Sequence, residues 1–281
     1  MEKQIKKFEI IDFHTHPFMN NVTNICYHKN NVKITPEATL ATMKNLGVKK
    51  ICGSVISTAP LDTGETRWER ILKHNNEALS LKEKYGEFYC PGFHVHPDFV
   101  GESKNEIDRM NELGVKLIGE LVPYMDGYEK YNSPQLNEII NYAAKQNMVL
   151  SLHTTDYEDD LDDFVSNHQD ITIVAAHPGE IHSLLRHIRR LKTYSNYYLD
   201  ISGTGIMRYA MLRRLIDEVG VEKILYGSDY PTCNPAAFLG SVLLDELITD
   251  NEREYILNKN ARRILGINRQ SGFDVNCKHA D

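Results

Sequence analysis

Eight short apolar, β-branched runs alternate with longer amphipathic segments along 281 residues, and that alternation restricts the fold more than any other feature. The runs lie near residues 8–14, 49–56, 88–94, 115–121, 148–153, 171–177, 197–202 and 223–229. Each is short and apolar enough to be a parallel strand covered on both faces. The segments between them have readable ends. Thr35-Pro36 and Ser133-Pro134 each set a capping hydroxyl before a proline at the first helical position, and Gly47, Gly86, Gly114 and Gly220 stand where helices stop. Helical spacing is clearest in Leu136, Ile139, Ile140 and Ala143, and in Ile181, Leu184, Leu185 and Ile188. Eight strand-plus-helix units without a break in composition predict one α/β domain, a (β/α)8 TIM barrel over residues 1–267. A polar tail, 268–281, follows it, and the Asn-rich stretch from Asn20 to Val32 reads as a loop over the barrel mouth.

Composition excludes several classes of partner. A formal charge of -7 gives no general basic face for nucleic acid or an anionic membrane, and no stretch approaches the length of a membrane span. The charged N-terminus has no apolar signal region, so the chain is expected in the cytoplasm. Its five cysteines are odd in number and widely spaced, which argues against a disulfide framework or a thiolate zinc site.

In a (β/α)8 enzyme the chemistry stands at the C-terminal ends of the strands. Here those ends carry His14 and His16 (run 1), Glu120 (run 4), His153 (run 5), His177 (run 6) and Asp229 (run 8). Extended backbone alternates its side chains, so His14 and His16 face one side and can grip one ion. Nitrogen and carboxylate donors converging on one mouth suit zinc, or manganese, iron or nickel. A second H-x-H, His94-Val95-His96, ends run 3; His94 is a candidate substrate contact and His96 a loop residue. Tyr124, Tyr157 and Glu180 follow runs 4, 5 and 6 and are candidates to reach the pocket, Tyr124 and Tyr157 as substrate contacts. His182, Arg186, His187, Arg189 and Arg190 read as a solvated helix face rather than a phosphate site, and His28, His74, His168 and His279 as surface groups. Cys233 lies near the mouth without an activating partner.

Asp12-Phe13-His14-Thr15-His16-Pro17, Leu152-His153, Ala176-His177-Pro178-Gly179, Leu225-Tyr226-Gly227-Ser228-Asp229-Tyr230-Pro231 and Asn260-Ala261-Arg262-Arg263-Ile264-Leu265 together resemble the amidohydrolase superfamily, in its amidohydrolase-related branch. The resemblance implies that His14, His16 and Asp229 hold one metal and His153 and His177 a second, with Glu120 as the bridge. Many members use a carboxylated lysine on strand 4. The lysine here, Lys116, starts that run and belongs at the barrel floor, so Glu120 is better placed.

A divalent ion acidifies water and polarises a carbonyl or phosphoryl oxygen. Asp229 is then the candidate general base and later acid, and with only one metal present His177 or His153 would hydrogen-bond the developing oxyanion. The leading expectation is a hydrolase that cleaves an amide, ester or lactone of a small molecule. The alternatives are a non-oxidative decarboxylase of the same branch, a TatD-like phosphodiesterase suggested by Glu120, and a silent barrel acting as a binding subunit. A homo-oligomer is compatible with a barrel of this size, but no run in the sequence marks an interface.

Overall fold

The computed structural model describes residues 5, 7–19, 35–155 and 158–267. Its eight strands are β1 (Ile10–Asp12), β2 (Val48–Gly53), β3 (Tyr89–Phe93), β4 (Leu117–Leu121), β5 (Val149–His153), β6 (Thr172–Ala176), β7 (Tyr197–Asp200) and β8 (Ile224–Leu225). They pair in parallel in sequence order, with helices in every connection that is described from β2 onward, and helix Pro36–Asn45 ahead of β2. The sheet curls until its ends meet. Phe13 N donates to Tyr226 O at 2.9 Å, Thr15 forms a parallel bridge with Tyr230, and His16 N donates to Tyr230 O at 2.7 Å. The expected (β/α)8 barrel is therefore the fold of this chain. The tail 268–281, the Asn20–Val32 stretch and Tyr157 lie outside the described residues.

Two apolar layers hold the barrel together. Ile11, Phe13, Cys52, Leu117, Val149, Val174 and Leu225 fill its interior below the mouth, where a packed floor is required if the mouth is to be a dry site. A larger cluster lies between strands and helices. In helix Pro134–Lys145 its members are Leu136, Ile139, Ile140 and Ala143, the stripe read from the sequence. Thr35 and Ser133 cap their helices as expected, accepting from Ala38 N and Leu136 N. Behind β8, Asn260 Nδ2 donates to Val221 O and Ile224 O at 2.8 and 2.7 Å, which ties the last helix to the shortest strand.

Helix Ile181–Thr193 corrects two expectations. Ile181 and Leu185 are exposed, while Leu184, His187, Ile188, Arg190 and Leu191 are buried, so the core-facing stripe is rotated from the one read in the sequence. Nor are His187 and Arg190 solvated. Arg190 Nε donates to Asp162 Oδ1 at 2.7 Å, and His187 lies between Tyr197 and Thr154. A buried cation is tolerated when a carboxylate meets it, and a buried imidazole when both nitrogens are used. His168 is buried too, between Asn137 and Asn141 (2.8 and 3.2 Å), and His74 is half-buried; neither is a plain surface group.

Thr154 Oγ1 donates to Ala176 O, so His187 Nε2–H donates to Thr154 Oγ1 and His187 Nδ1 accepts from the Tyr197 hydroxyl. That pattern suits the neutral ring, and burial pushes its pKa down to about 3. The unfolded chain takes up this proton near the ordinary value of about 6.5, so the contribution to stability is whole above that pH and is lost as pH falls from there toward 3. Urea titrations at pH 7 and pH 5 should show a smaller loss of stability for His187→Gln than for the wild type. Equal losses would show that His187 is not buried as the neutral ring.

Candidate metal centre

β1 ends at Asp12, two residues earlier than the sequence suggests, and His14 and His16 follow it in the segment that closes the barrel. The bridge at Thr15 keeps that segment extended, which leaves the flanking histidines on one side. His14 Nε2 and His16 Nε2 lie 3.1 Å apart. Glu120 Oε2 lies 3.3 Å from the first and 3.4 Å from the second. The other oxygen, Oε1, faces His153 Nδ1 at 3.1 Å and His177 Nε2 at 3.4 Å. Asp229 Oδ1 stands 3.5 Å from His16 Nε2 and 3.8 Å from His14 Nε2. All six residues of the sequence-derived ligand set therefore meet at the mouth.

The protons on these rings decide what the cluster can accept. His16 Nδ1 donates to Ser54 O at 3.0 Å, and His14 Nδ1 lies 3.0 Å from Asp200 Oδ2. In the neutral rings both Nε2 atoms then carry lone pairs, and these point at one another and at a carboxylate oxygen. Donor spacings of 3.1–3.4 Å are close to the roughly 3.3 Å edge of a tetrahedron of donors 2.0–2.1 Å from zinc. Three buried lone pairs converging this way fit a divalent cation. Glu120, His153 and His177 form a second such triad, so the same carboxylate belongs to two donor groups. Burial alone would push Glu120 up, but the His14 and His153 imidazoles overcome it and hold the carboxyl well below its ordinary range. Burial likewise pulls His14 down, yet Glu120 and Asp200 bring it well above its usual value.

Local backbone fixes these positions at some cost. His177 and Asp229 both have positive φ, 68° and 54°, in a region that carries a penalty of about 1–2 kcal/mol for a residue with a Cβ. Gly203 has no side chain to strike the His177 ring, since a Cβ there would lie 2.4 Å from Nδ1. Asp229 N donates to His14 O at 2.8 Å, so the aspartate of the last strand is registered directly on the first histidine.

Asp200 and Ser202 are missing from the residues read as functional. Asp200 ends β7 fully buried, and Ser202 Oγ donates to its Oδ1 while lying 3.0 Å from both His14 Nδ1 and His177 Nδ1. A charged residue closing the apolar run Tyr197-Tyr198-Leu199 was the available signal. His94 and His96 are almost fully buried. His94 Nε2 donates to Val55 O at 3.0 Å with Nδ1 3.5 Å from Asp126 Oδ2, and His96 Nε2 donates to Asp126 O at 3.0 Å. The second H-x-H thus grips the turn after β4. Tyr124 sits on that turn, exposed, with its ring 5.4 Å from that of His153. Glu180 pairs with Arg208 at the surface, and Lys116 donates to Gln146 O away from the mouth. Cys233 Sγ donates to Asp229 Oδ2 at 3.5 Å, and burial pushes the thiol up to about 12, which rules out a resting thiolate nucleophile.

A barrel whose mouth gathers four imidazoles and two carboxylates has the architecture of metal-dependent barrel enzymes. Residues 11–267 match the amidohydrolase family model, and the chain belongs to that family. No curated protein matches the sequence. Among solved structures it is similar to 2,6-dihydroxybenzoate decarboxylase from Rhizobium (TM-score 0.71, 16% identity, covering 92% of this chain and 99% of that one). It is also similar to a dihydroxybenzoic acid decarboxylase from Polaromonas sp. JS666 with bound manganese (0.70, 14%, 94% and 98%). A probable 2-pyrone-4,6-dicarboxylic acid hydrolase from Acinetobacter baumannii is similar as well (0.66, 15%, 92% and 100%).

A carboxylate behind a ligating imidazole fixes its tautomer and raises its basicity, and removing such a partner costs about 10–100-fold in metal affinity. Asp200→Asn should therefore weaken metal binding by about that factor while the far-ultraviolet spectrum stays the same. Competition with a chromophoric chelator reads the affinity; an unchanged value would show that Asp200 does not act through His14.

Proposed function

We propose that this protein is a metal-dependent hydrolase that uses water to cleave an amide, ester or lactone bond of a small molecule. The observation that carries the reading is the division of Glu120, whose two oxygens face two separate pairs of imidazoles. A shared carboxylate between two donor groups suits a pair of ions clamping one oxygen, as in two-metal hydrolytic sites. His14, His16 and Asp229 would hold one ion, His153 and His177 the other, and Glu120 both. Bound there, divalent ions acidify water to a pKa of about 7 and polarise the carbonyl under attack. Nitrogen and oxygen donors of this kind suit zinc, and they also suit manganese.

The chain's own groups supply orientation and proton movement. Asp200 and Ser54 O hold the His14 and His16 rings with Nε2 toward the mouth. Asp229 is the carboxylate at the edge of the cluster, less buried than Glu120, and its Oδ1 is the atom to take a proton from water and return it to the leaving group. Glu120 is enclosed by imidazoles, which leaves it no path for that task. Tyr124, exposed with its ring 5.4 Å from that of His153, is the candidate substrate contact on this side.

A second reading, non-oxidative decarboxylation, is favoured by the structural likenesses, among which decarboxylases recur and three structures carry manganese. Metal content and products separate the two. Hydrolysis predicts two metal equivalents and acid release from an ester and lactone panel; carbon dioxide released from hydroxybenzoates, with one equivalent bound, would establish the second reading instead. In the hydrolase, Asp229→Asn should lower kcat by about 10²–10⁴-fold with an unchanged unfolding midpoint. Undiminished turnover would remove Asp229 from the proton path.

A further inference from the structure

Cys52 and Cys90 stand side by side in the barrel wall. They are register partners across the parallel β2–β3 pair, so their side chains leave the sheet on one face. That face is the inside: Cys52 belongs to the apolar cluster that fills the barrel, and Cys90 packs against it. Neighbouring strands lie about 4.7–4.9 Å apart, inside the roughly 4.4–6.8 Å between Cα atoms that a disulfide spans. Hydrogen bonds hold the two backbones in this register. Thr15 N and Oγ1 donate to Cys52 O at 2.9 and 3.0 Å, and the Tyr89 hydroxyl crosses from β3 to Gly53 O at 2.7 Å.

The two thiols differ in a way that orders their reactions. Cys52 is fully buried, whereas Cys90 is half-buried. The Cys52 S–H donates to Cys90 Sγ, and this bond, with the Lys50 and Lys82 ammoniums, holds the Cys90 thiol below its ordinary range against burial. Burial and the same bond push Cys52 well above that range. A more accessible thiol with thiolate character is attacked first, and a buried thiol in contact with it resolves the product.

We propose that Cys52 and Cys90 are a thiol-oxidation site that closes to a reversible disulfide between β2 and β3, with a hydroperoxide as the oxidant. With hydrogen peroxide, Cys90 Sγ attacks one peroxide oxygen, the O–O bond breaks, and a sulfenic acid and one water result. Cys52 Sγ then attacks Cys90 Sγ, the S–O bond breaks, and the sulfenic hydroxyl leaves with the Cys52 proton as a second water. Two thiols are oxidised and one peroxide is reduced. Spacing along the chain hides the pair, and strand register brings it together.

Hydrogen peroxide treatment of the folded full chain, quenched with catalase and followed by alkylation with iodoacetamide in denaturant, tests the site by peptide mapping. Trypsin places Cys52 in peptide 51–67 and Cys90 in peptide 85–104. The two should run as one linked species, lighter than their sum by two hydrogen atoms, and dithiothreitol should release both. Cys52→Ala should leave the Cys90 sulfenic acid unresolved, so that dimedone labels Cys90 in the variant and not in the wild type. Both peptides recovered alkylated, Cys90 oxidised while Cys52 stays alkylated, or linkage to Cys26, Cys233 or Cys277 instead would each overturn the assignment. So would a link between the two peptides that forms only after the chain has been unfolded.

Discussion

The mouth of this barrel depends on one carboxylate meeting four imidazoles. Without Glu120, Asp229 would be the one carboxylate of the six-residue set left at the mouth, beside His14 and His16, and His153 and His177 would lose the oxygen they share. With it, each pair of rings has one oxygen to share, at 3.1–3.4 Å. The interaction is strong because it is dry: His14 and Glu120 are almost fully buried, and charges interact more strongly there than in water. Nearby features are consistent with holding that geometry, including the positive φ at His177 and Asp229 and the bare Gly203 against the His177 ring.

Closure of the sheet carries the same constraint into the fold. His14 and Asp229 stand at opposite ends of the chain's strand order and become neighbours only when β8 meets β1. The seam is short in regular pairing, since β8 contains two residues, and hydrogen bonds beyond the strands complete it. Asp12 Oδ1 accepts from Ser228 N at 3.0 Å across this seam, beside the Asp229 N to His14 O bond. The first motif of the sequence and the last are thus one structural unit, with the packed interior of Ile11, Phe13 and Leu225 beneath it.

Much of this was legible in the sequence because barrel topology turns strand order into position. Once eight runs are counted, the residue that ends each run has a known place, and His14, His16, Glu120, His153, His177 and Asp229 follow. Asp200 follows by the same rule and was missed, since a lone acidic strand end carries no motif of its own; its meaning comes from His14, far away in the chain. The face of helix Ile181–Thr193 was misread for a related reason. Apolar periodicity places Ile181 and Leu185 inward, but Asp162 and Tyr197 provide buried partners for Arg190 and His187, and those contacts are tertiary. Polar residues look solvated in a sequence until their partners are known.

The two H-x-H pairs show how little a motif decides alone. His14-Thr15-His16 and His94-Val95-His96 have the same spacing and both follow barrel strands. In the first, Nδ1 of each ring is occupied by Asp200 or Ser54 O, and both Nε2 atoms are left for the mouth. In the second, the Nε2 atoms are spent on Val55 O and Asp126 O, and His94 Nδ1 faces a carboxylate. What separates a donor pair from a clamp is which nitrogen the neighbouring backbone consumes. By engaging Asp126 through both its side chain and its carbonyl, the clamp sets the turn that carries Tyr124.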